Sequence, residues 1–354
     1  MKKIISFLFL LQTIAAFALP CAERVEKAGW TYFSIPDKAY PEADSVRYVV
    51  SKLFNPENPT VFFSQGSGNY PVLIYYDYDD GRTWNHVMIP PFSVKEYTEK
   101  YNFVVIAKPG TPICKPYTEG PPPLIDTAFG DYTIFNKFDF LDYYVEQLNQ
   151  VVDIIRKRSN PKSPFFFIGN SQGGPVVTKL ADKYPQKVQR LVIQACGVLG
   201  RLTGKGYEHR RLMDIGQISS EEAQKRIDEV YARYQWLQEY SKSDRKESPY
   251  SDEDHSAIMN DVSWNFDIML PRLQNINCPL LFVFGTADIQ TRENDLLPFF
   301  FTRWGKDNLT MMPILDANHT FMKTITDPET SEKKQEYIGQ EVFARIVEWF
   351  EKKE

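Results

Sequence analysis

One decapeptide, Phe165-Phe166-Phe167-Ile168-Gly169-Asn170-Ser171-Gln172-Gly173-Gly174, constrains the fold of this chain more than any other stretch. Its four leading apolar residues read as a strand buried on both faces. They run without a spacer into small and polar residues, and a helical pattern follows over 173–183. A serine at the tip of such a turn presents its hydroxyl off the carboxyl end of a sheet. The residues two before and two after it must be small, or strand and helix cannot approach. Gly169 and Gly173 hold those places, and Pro175 falls in the first helical turn, where a missing N–H costs little. The competing reading, a glycine-rich phosphate cradle, lacks the lysine of a P-loop and the spacing of a dinucleotide fingerprint. Ser171 is the candidate nucleophile.

The rest of the chain supplies a sheet for that turn. Short apolar runs at 46–51, 60–64, 103–107, 165–168, 190–195, 280–284 and 309–315 read as strands. Helical patterns fall between or after them at 93–101, 140–158, 173–183 and 336–353. Over 140–158 the residues Leu141, Tyr144, Leu148, Val151, Ile154 and Ile155 form one apolar stripe, as do Ile338, Val342, Ile346 and Trp349 near the end. Such alternation predicts an α/β fold, a mostly parallel sheet flanked by helices. The charged stretch 201–275 carries no strand, is too long for a connection, and reads as an inserted helical cap of two or three helices. The core α/β domain is then 19–200 with 276–354. The proline-rich stretch 109–127 reads as loop.

Composition narrows the partners. Hydrophobic residues at 43% and charged residues at 25% describe an ordinary globular chain. A formal charge of −5 offers nothing to a phosphate backbone, so no nucleic-acid partner is expected. Four Cys and four His occur without a CxxC, HExxH or HxH pair, so neither a metal nor any other cofactor is expected. At the amino terminus Lys2 and Lys3 precede an apolar run, which exits through Ala16 and Ala18. That layout predicts a signal peptide over 1–18, a secreted or periplasmic protein, and no membrane anchor after cleavage. Lipid attachment at Cys21 is disfavoured, because Pro20 rather than a small residue precedes it. Export permits disulfides, and Cys21 with Cys114 is the conceivable pair, both lying in stretches that read as outside the core. Cys196 and Cys278, beside apolar strands, read as buried thiols.

Two segments after the cap complete a constellation. One is Cys278-Pro279-Leu280-Leu281-Phe282-Val283-Phe284-Gly285-Thr286-Ala287-Asp288. The other follows the run 309–315 as Asp316-Ala317-Asn318-His319-Thr320-Phe321. From about residue 46 onward the chain resembles the α/β-hydrolase superfamily, whose order is serine, then acid, then histidine. The resemblance implies Asp288 as the acid, with Asp295 and Asp316 as alternatives, and His319 as the base. His86 precedes the serine, and His209 and His255 fall in the cap stretch. It also implies an oxyanion hole from the backbone N–H groups of Gln172 and Ser67. Two departures stand out: Gln65 replaces a usual histidine, and Lys108 replaces a usual arginine, as either an anchor near the site or a solvated loop residue.

Specificity is less determined. Tyr231, Tyr234 and Trp236 either line a substrate pocket or form the cap's own core. Glu221, Glu222, Asp228 and Glu229 either meet a substrate amine or form a solvated helix face. The implied activity is that of an exported serine hydrolase acting on carboxylic esters. The alternatives are a proline-iminopeptidase-like peptidase acting on short peptides, and a binding protein that keeps the fold without catalysis.

Overall fold

The computed structural model describes residues 20–43, 45–78, 83–116, 130–243, 255–326 and 333–352. The expected signal peptide lies outside them. Within them a short helix α1 (Cys21–Lys27) leads into strands β1 (Trp30–Pro36), β2 (Ser45–Ser51) and β3 (Thr60–Ser64). Then come β4 (Leu73–Asp77), β5 (Thr83–Val87), β6 (Asn102–Ile106) and β7 (Cys114–Pro116). Helices α2 (Tyr132–Phe138) and α3 (Leu141–Arg158) precede β8 (Phe165–Asn170), α4 (Gly173–Lys183) and β9 (Arg190–Gln194). Four helices follow, α5 (Arg201–Asp214), α6 (Ser220–Ser241), α7 (His255–Phe266) and α8 (Leu270–Leu273). The chain finishes with β10 (Leu280–Gly285), α9 (Leu297–Trp304), β11 (Leu309–Ile314), β12 (Met322–Thr326), β13 (Lys333–Tyr337) and α10 (Gly339–Glu351).

Eight strands form the main sheet in the order β1-β2-β6-β3-β8-β9-β10-β11. Only β2 runs against the rest, pairing antiparallel with both β1 and β6. Strand β8 shows why the sheet is covered twice. Phe165 and Phe167 enter the cluster beneath α3 and α4, while Phe166 and Ile168 enter the cluster beneath α10. Successive side chains point to opposite faces, so a continuous apolar run fills both layers. Burying each such phenylalanine is worth roughly 1.5–3 kcal/mol. The registers Ser64↔Gly169 and Asn170↔Gln194 bring the carboxyl ends of β3, β8 and β9 level. This is an α/β-hydrolase fold.

The structure differs from the sequence expectations at the margins. The stretch 93–101 makes only a single 3-10 turn, Lys95–Tyr97, because buried Val94 and Tyr101 are reached by one turn on each side. The last helix starts at Gly339, since Lys333–Tyr337 pairs with β12 as a hairpin. The strands β4, β5 and β7 form a separate three-stranded sheet. A disulfide joins Cys21 to Cys114, with Cα atoms 5.8 Å apart, and so ties α1 to β7. Both cysteines pack against the core, where the sequence had placed them outside it. Beside them the buried Arg24 meets Asp77 at 2.5 Å and lies over the Tyr75 ring.

The helices between β9 and β10 carry a small apolar cluster of their own, built on Leu202, Leu237, Tyr240 and Ile258. Apolar packing of Trp264, Met269 and Leu273 into the main core cluster attaches them to the sheet domain, and polar contacts add to it. Trp264 Nε1 donates to the Asp139 carbonyl at 2.7 Å, and the Leu141 N–H donates to Ser263 Oγ at 2.9 Å. Among the described residues no helix is long and apolar enough to cross a membrane.

Candidate active site

The turn from β8 to α4 is built around a strained residue. Ser171 has φ of 49°, a left-handed conformation that a side chain adopts only when its surroundings enforce it. Its N–H donates to the Gln194 carbonyl at 2.8 Å, which pins the tip to β9. A Cβ on Gly173 would lie 2.1 Å from the Ser64 carbonyl oxygen, and one on Gly169 would lie 2.4 Å from that of Gly173. Glycine is what lets β3, β8 and α4 converge there.

Two loops meet the serine from β10 and β11. They are laced together by the Ala287 N–H on the Ala317 carbonyl, at 3.0 Å, and the Asp316 N–H on Thr286 Oγ1, at 2.9 Å. Asn318 Oδ1 accepts from the N–H groups of Thr320 and Met322, fixing the turn that carries His319. His319 Nε2 lies 3.1 Å from Ser171 Oγ, and His319 Nδ1 lies 2.8 Å from Asp288 Oδ2. Asp288 is 2% exposed, and its other oxygen accepts from the Gln290 N–H at 2.9 Å. A carboxylate so held fixes the imidazole with its proton on Nδ1, leaving Nε2 to take a proton from the hydroxyl. Asp295 and Asp316 make no bond to His319 among the described residues. His86 stacks on Trp84, and His255 meets the Tyr240 hydroxyl.

The loop after β3 also reaches the serine. A Cβ on Gly66 would stand 3.3 Å from the Ser171 Cβ, and Ser67 follows with its side chain exposed. Gln65 is buried and donates to the Ile106 carbonyl at 3.2 Å, tying this loop to the end of β6. Gln172 opens α4, where the first N–H groups of a helix have no intrahelical acceptor.

A family described as serine aminopeptidase, S33, matches residues 135–322, just over half of the chain. The chain belongs to that family. A comparison with curated proteins finds no match. Among solved structures, a protein assigned as a dipeptidyl aminopeptidase IV from Bacteroides ovatus superposes with a TM-score of 0.52 at 11% identity. That match covers 91% of this chain but only 35% of the other. The monoacylglycerol lipase of Paleococcus ferrophilus gives 0.43 at 16% identity, covering 86% of this chain and 97% of that one. Identities this low speak for the fold alone. As a member of the S33 family the chain is an enzyme, a serine hydrolase.

In this S33 hydrolase the remaining candidates fall elsewhere. Tyr234 and Trp236 pack into the apolar cluster of the helical segment, against Phe266 and Tyr240, and Tyr231 is 65% exposed. Two of the four candidate acids of α6 have partners on their own helix, Glu222 with Arg226 and Asp228 with Gln224. Two buried groups beside the site carry no motif. Lys108 is 5% exposed and donates to Gln172 Oε1 at 2.5 Å, the anchor of the two readings the sequence left open. Glu293 is buried with Oε1 accepting the Val198 N–H at 3.0 Å, while burial holds its carboxyl above the usual range. Among the described residues no group of three or more metal-ligating side chains is placed to hold an ion.

Proposed function

We propose that this S33 hydrolase cleaves carboxylic esters by acyl transfer through Ser171. The hydrogen-bonded chain from Asp288 through His319 to Ser171 is the observation that carries the reading. His319 takes the hydroxyl proton as Ser171 Oγ bonds to the carbonyl carbon, then returns it to the departing alcohol. Water repeats the exchange on the acyl-enzyme and releases the acid. Asp288 holds the imidazole and stabilises its cation. The N–H groups of Gln172 and Ser67 receive the oxyanion, each worth roughly 2.7–4 kcal/mol. The helical segment 201–275 acts as a cap over the substrate. The Cys21–Cys114 disulfide supports export after loss of residues 1–18, because such bonds persist in oxidising compartments.

The family's description favours a second reading, cleavage of aminoacyl bonds. Two of the α6 acids that could meet a substrate amine are already engaged on their own helix, Glu222 with Arg226 and Asp228 with Gln224, and this favours the ester. A fluorophosphonate probe should label the protein, and Ser171→Ala should abolish labelling and lower ester hydrolysis by roughly 10⁴-fold or more. An unlabelled wild-type protein would overturn the nucleophile. Faster turnover of aminoacyl arylamides than of p-nitrophenyl esters would select the peptidase.

A further inference from the structure

The side chain of Gln172 is held from both ends. Its Oε1 accepts from Lys108 Nζ at 2.5 Å, and its Nε2 donates to Asp139 Oδ1 at 2.9 Å. Asp139 Oδ1 also accepts the Tyr144 hydroxyl at 2.8 Å, and the Asp139 carbonyl accepts the Trp264 indole N–H at 2.7 Å. Thus the loop after β6 and the end of α2 hold the amide, while the first turn of α3 and helix α7 brace Asp139 in turn. That amide belongs to the residue directly after Ser171. Gln65, from the loop after β3, shares with Lys108, Gln172 and Tyr144 the wall of a cavity of about 20 Å³.

We propose that Lys108 is a positioning residue for the oxyanion hole, acting through the Gln172 side chain, with Asp139 closing the clamp from the opposite side. The inference rests on the hydrolase reading above. A buried ammonium is costly where a methionine would pack as well, and its position is what makes it useful. An amide locked at both ends cannot rotate, so the Gln172 backbone N–H keeps one direction as negative charge develops on the substrate oxygen.

The charge of Lys108 is poised to change. Burial lowers its pKa to about 8, with Asp139 opposing that shift and Arg201 adding to it. The other titratable neighbour, Tyr144, is held neutral, because burial and Asp139 push its pKa well up. Lys108 is therefore a cation below about pH 8 and loses its charge above it, so the clamp weakens on the alkaline side. The isosteric change Asp139→Asn removes the charge that favours the ammonium and should move this alkaline fall to lower pH. The opposite change, Lys108→Arg, keeps the charge at every accessible pH and should remove the fall.

The test is steady-state hydrolysis of a short p-nitrophenyl ester across pH, with thermal melts as a check on folding. Wild type, Lys108→Met, Lys108→Arg and Asp139→Asn are compared. Lys108→Met should lower kcat by roughly 10–100-fold with KM within about twofold, because the oxyanion exists only in the transition state. The alkaline fall should move in the two opposite directions stated. A purely structural role would change melts without moving the pH profile. A folded Lys108→Met with wild-type kcat, or an alkaline fall unmoved by Lys108→Arg and Asp139→Asn, overturns the clamp. If Lys108→Met does not fold, the two conservative variants decide alone. Fluorophosphonate labelling separates the two levels: wild type unlabelled at Ser171 removes the hydrolase reading and the clamp with it, whereas labelled, active enzyme with an unmoved profile removes the clamp only.

Discussion

The carboxyl edge of the main sheet and the helical segment between β9 and β10 are built to different standards. At the edge, β8 and β10 are buried almost throughout, and a Cβ on Gly169, Gly173 or Gly285 would lie within 2.4 Å of a backbone atom. In the helical segment, α5 buries Leu202 alone and α6 buries three of its 22 residues, and glycines 204 and 206 have open space around them. The tight region holds Ser171, Asp288 and His319 in hydrogen-bonding order. The helical segment joins the sheet domain through α7 and α8, where Trp264, Met269 and Leu273 enter the main core cluster and Trp264 bonds the Asp139 carbonyl. Close packing is concentrated around Ser171, Asp288 and His319 and relaxes in α5 and α6.

The sharpest way to break this contrast is Gly173→Ala. The added carbon would sit 2.1 Å from the Ser64 oxygen, a backbone atom that cannot swing aside as a side-chain end could. Strand β3 or helix α4 must move. We expect a loss of about 3 kcal/mol or more in urea melts, together with loss of Ser171 labelling. Near-wild-type stability would mean that the turn is not as close-packed as its geometry states.

A change at the border between the regions should be smaller and should depend on pH. Glu293 follows β10, and its Oε1 accepts the Val198 N–H on the approach to α5. Burial, then the nearby Asp288 charge, raises its pKa above the ordinary 4.5. The folded state thus holds this proton more tightly than the unfolded state does. The contribution is complete below the unfolded value and is lost as pH rises through the folded one. Glu293→Gln keeps the acceptor for Val198 and removes the ionisation. Its stability relative to wild type should rise as pH climbs past about 4.5, the direction set by the raised carboxyl pKa. Equal pH dependence in the two proteins would show that Glu293 ionises at no cost.

The same contrast explains what could be read in the sequence. The turn at Ser171 was legible because its requirements are local: strand, small residue, serine, small residue and helix lie within ten positions. His319 came from the resemblance to the α/β-hydrolase superfamily, whose chain order puts the histidine last. The parts of the clamp were legible, Gln172 as an oxyanion-hole donor and Lys108 as an anchor near the site or a solvated loop residue, but their contact was not, because they lie 64 positions apart. Nor were β5, β12 and β13, whose polar or half-polar sequences lack the continuous apolar run that marks the parallel strands, while β4 was missed although 72–76 is such a run. The aromatics of α6 show the limit most plainly. Tyr234 and Trp236 look alike in sequence whether they line a pocket or fill a cluster, and only the packing against Phe266 and Tyr240 tells them apart.

The mildest test lies wholly in the loose region. Gly206 sits inside α5 with an ordinary helical backbone, and a Cβ added to it would meet nothing within 4 Å. Glycine there costs helix stability through the freedom it gives the unfolded chain. Gly206→Ala should therefore stabilise the protein by about 0.5–1 kcal/mol, the opposite sign to Gly173→Ala for the same chemical change. Ester turnover should stay within about twofold of wild type, because helix propensity is uniform in its effect on ground and transition states. A gain in melts with turnover preserved would place the two regions on independent footings. A stabilised variant with turnover cut tenfold or more would instead mean that α5 must loosen during the catalytic cycle, and that the slack of the helical segment is itself a requirement of catalysis.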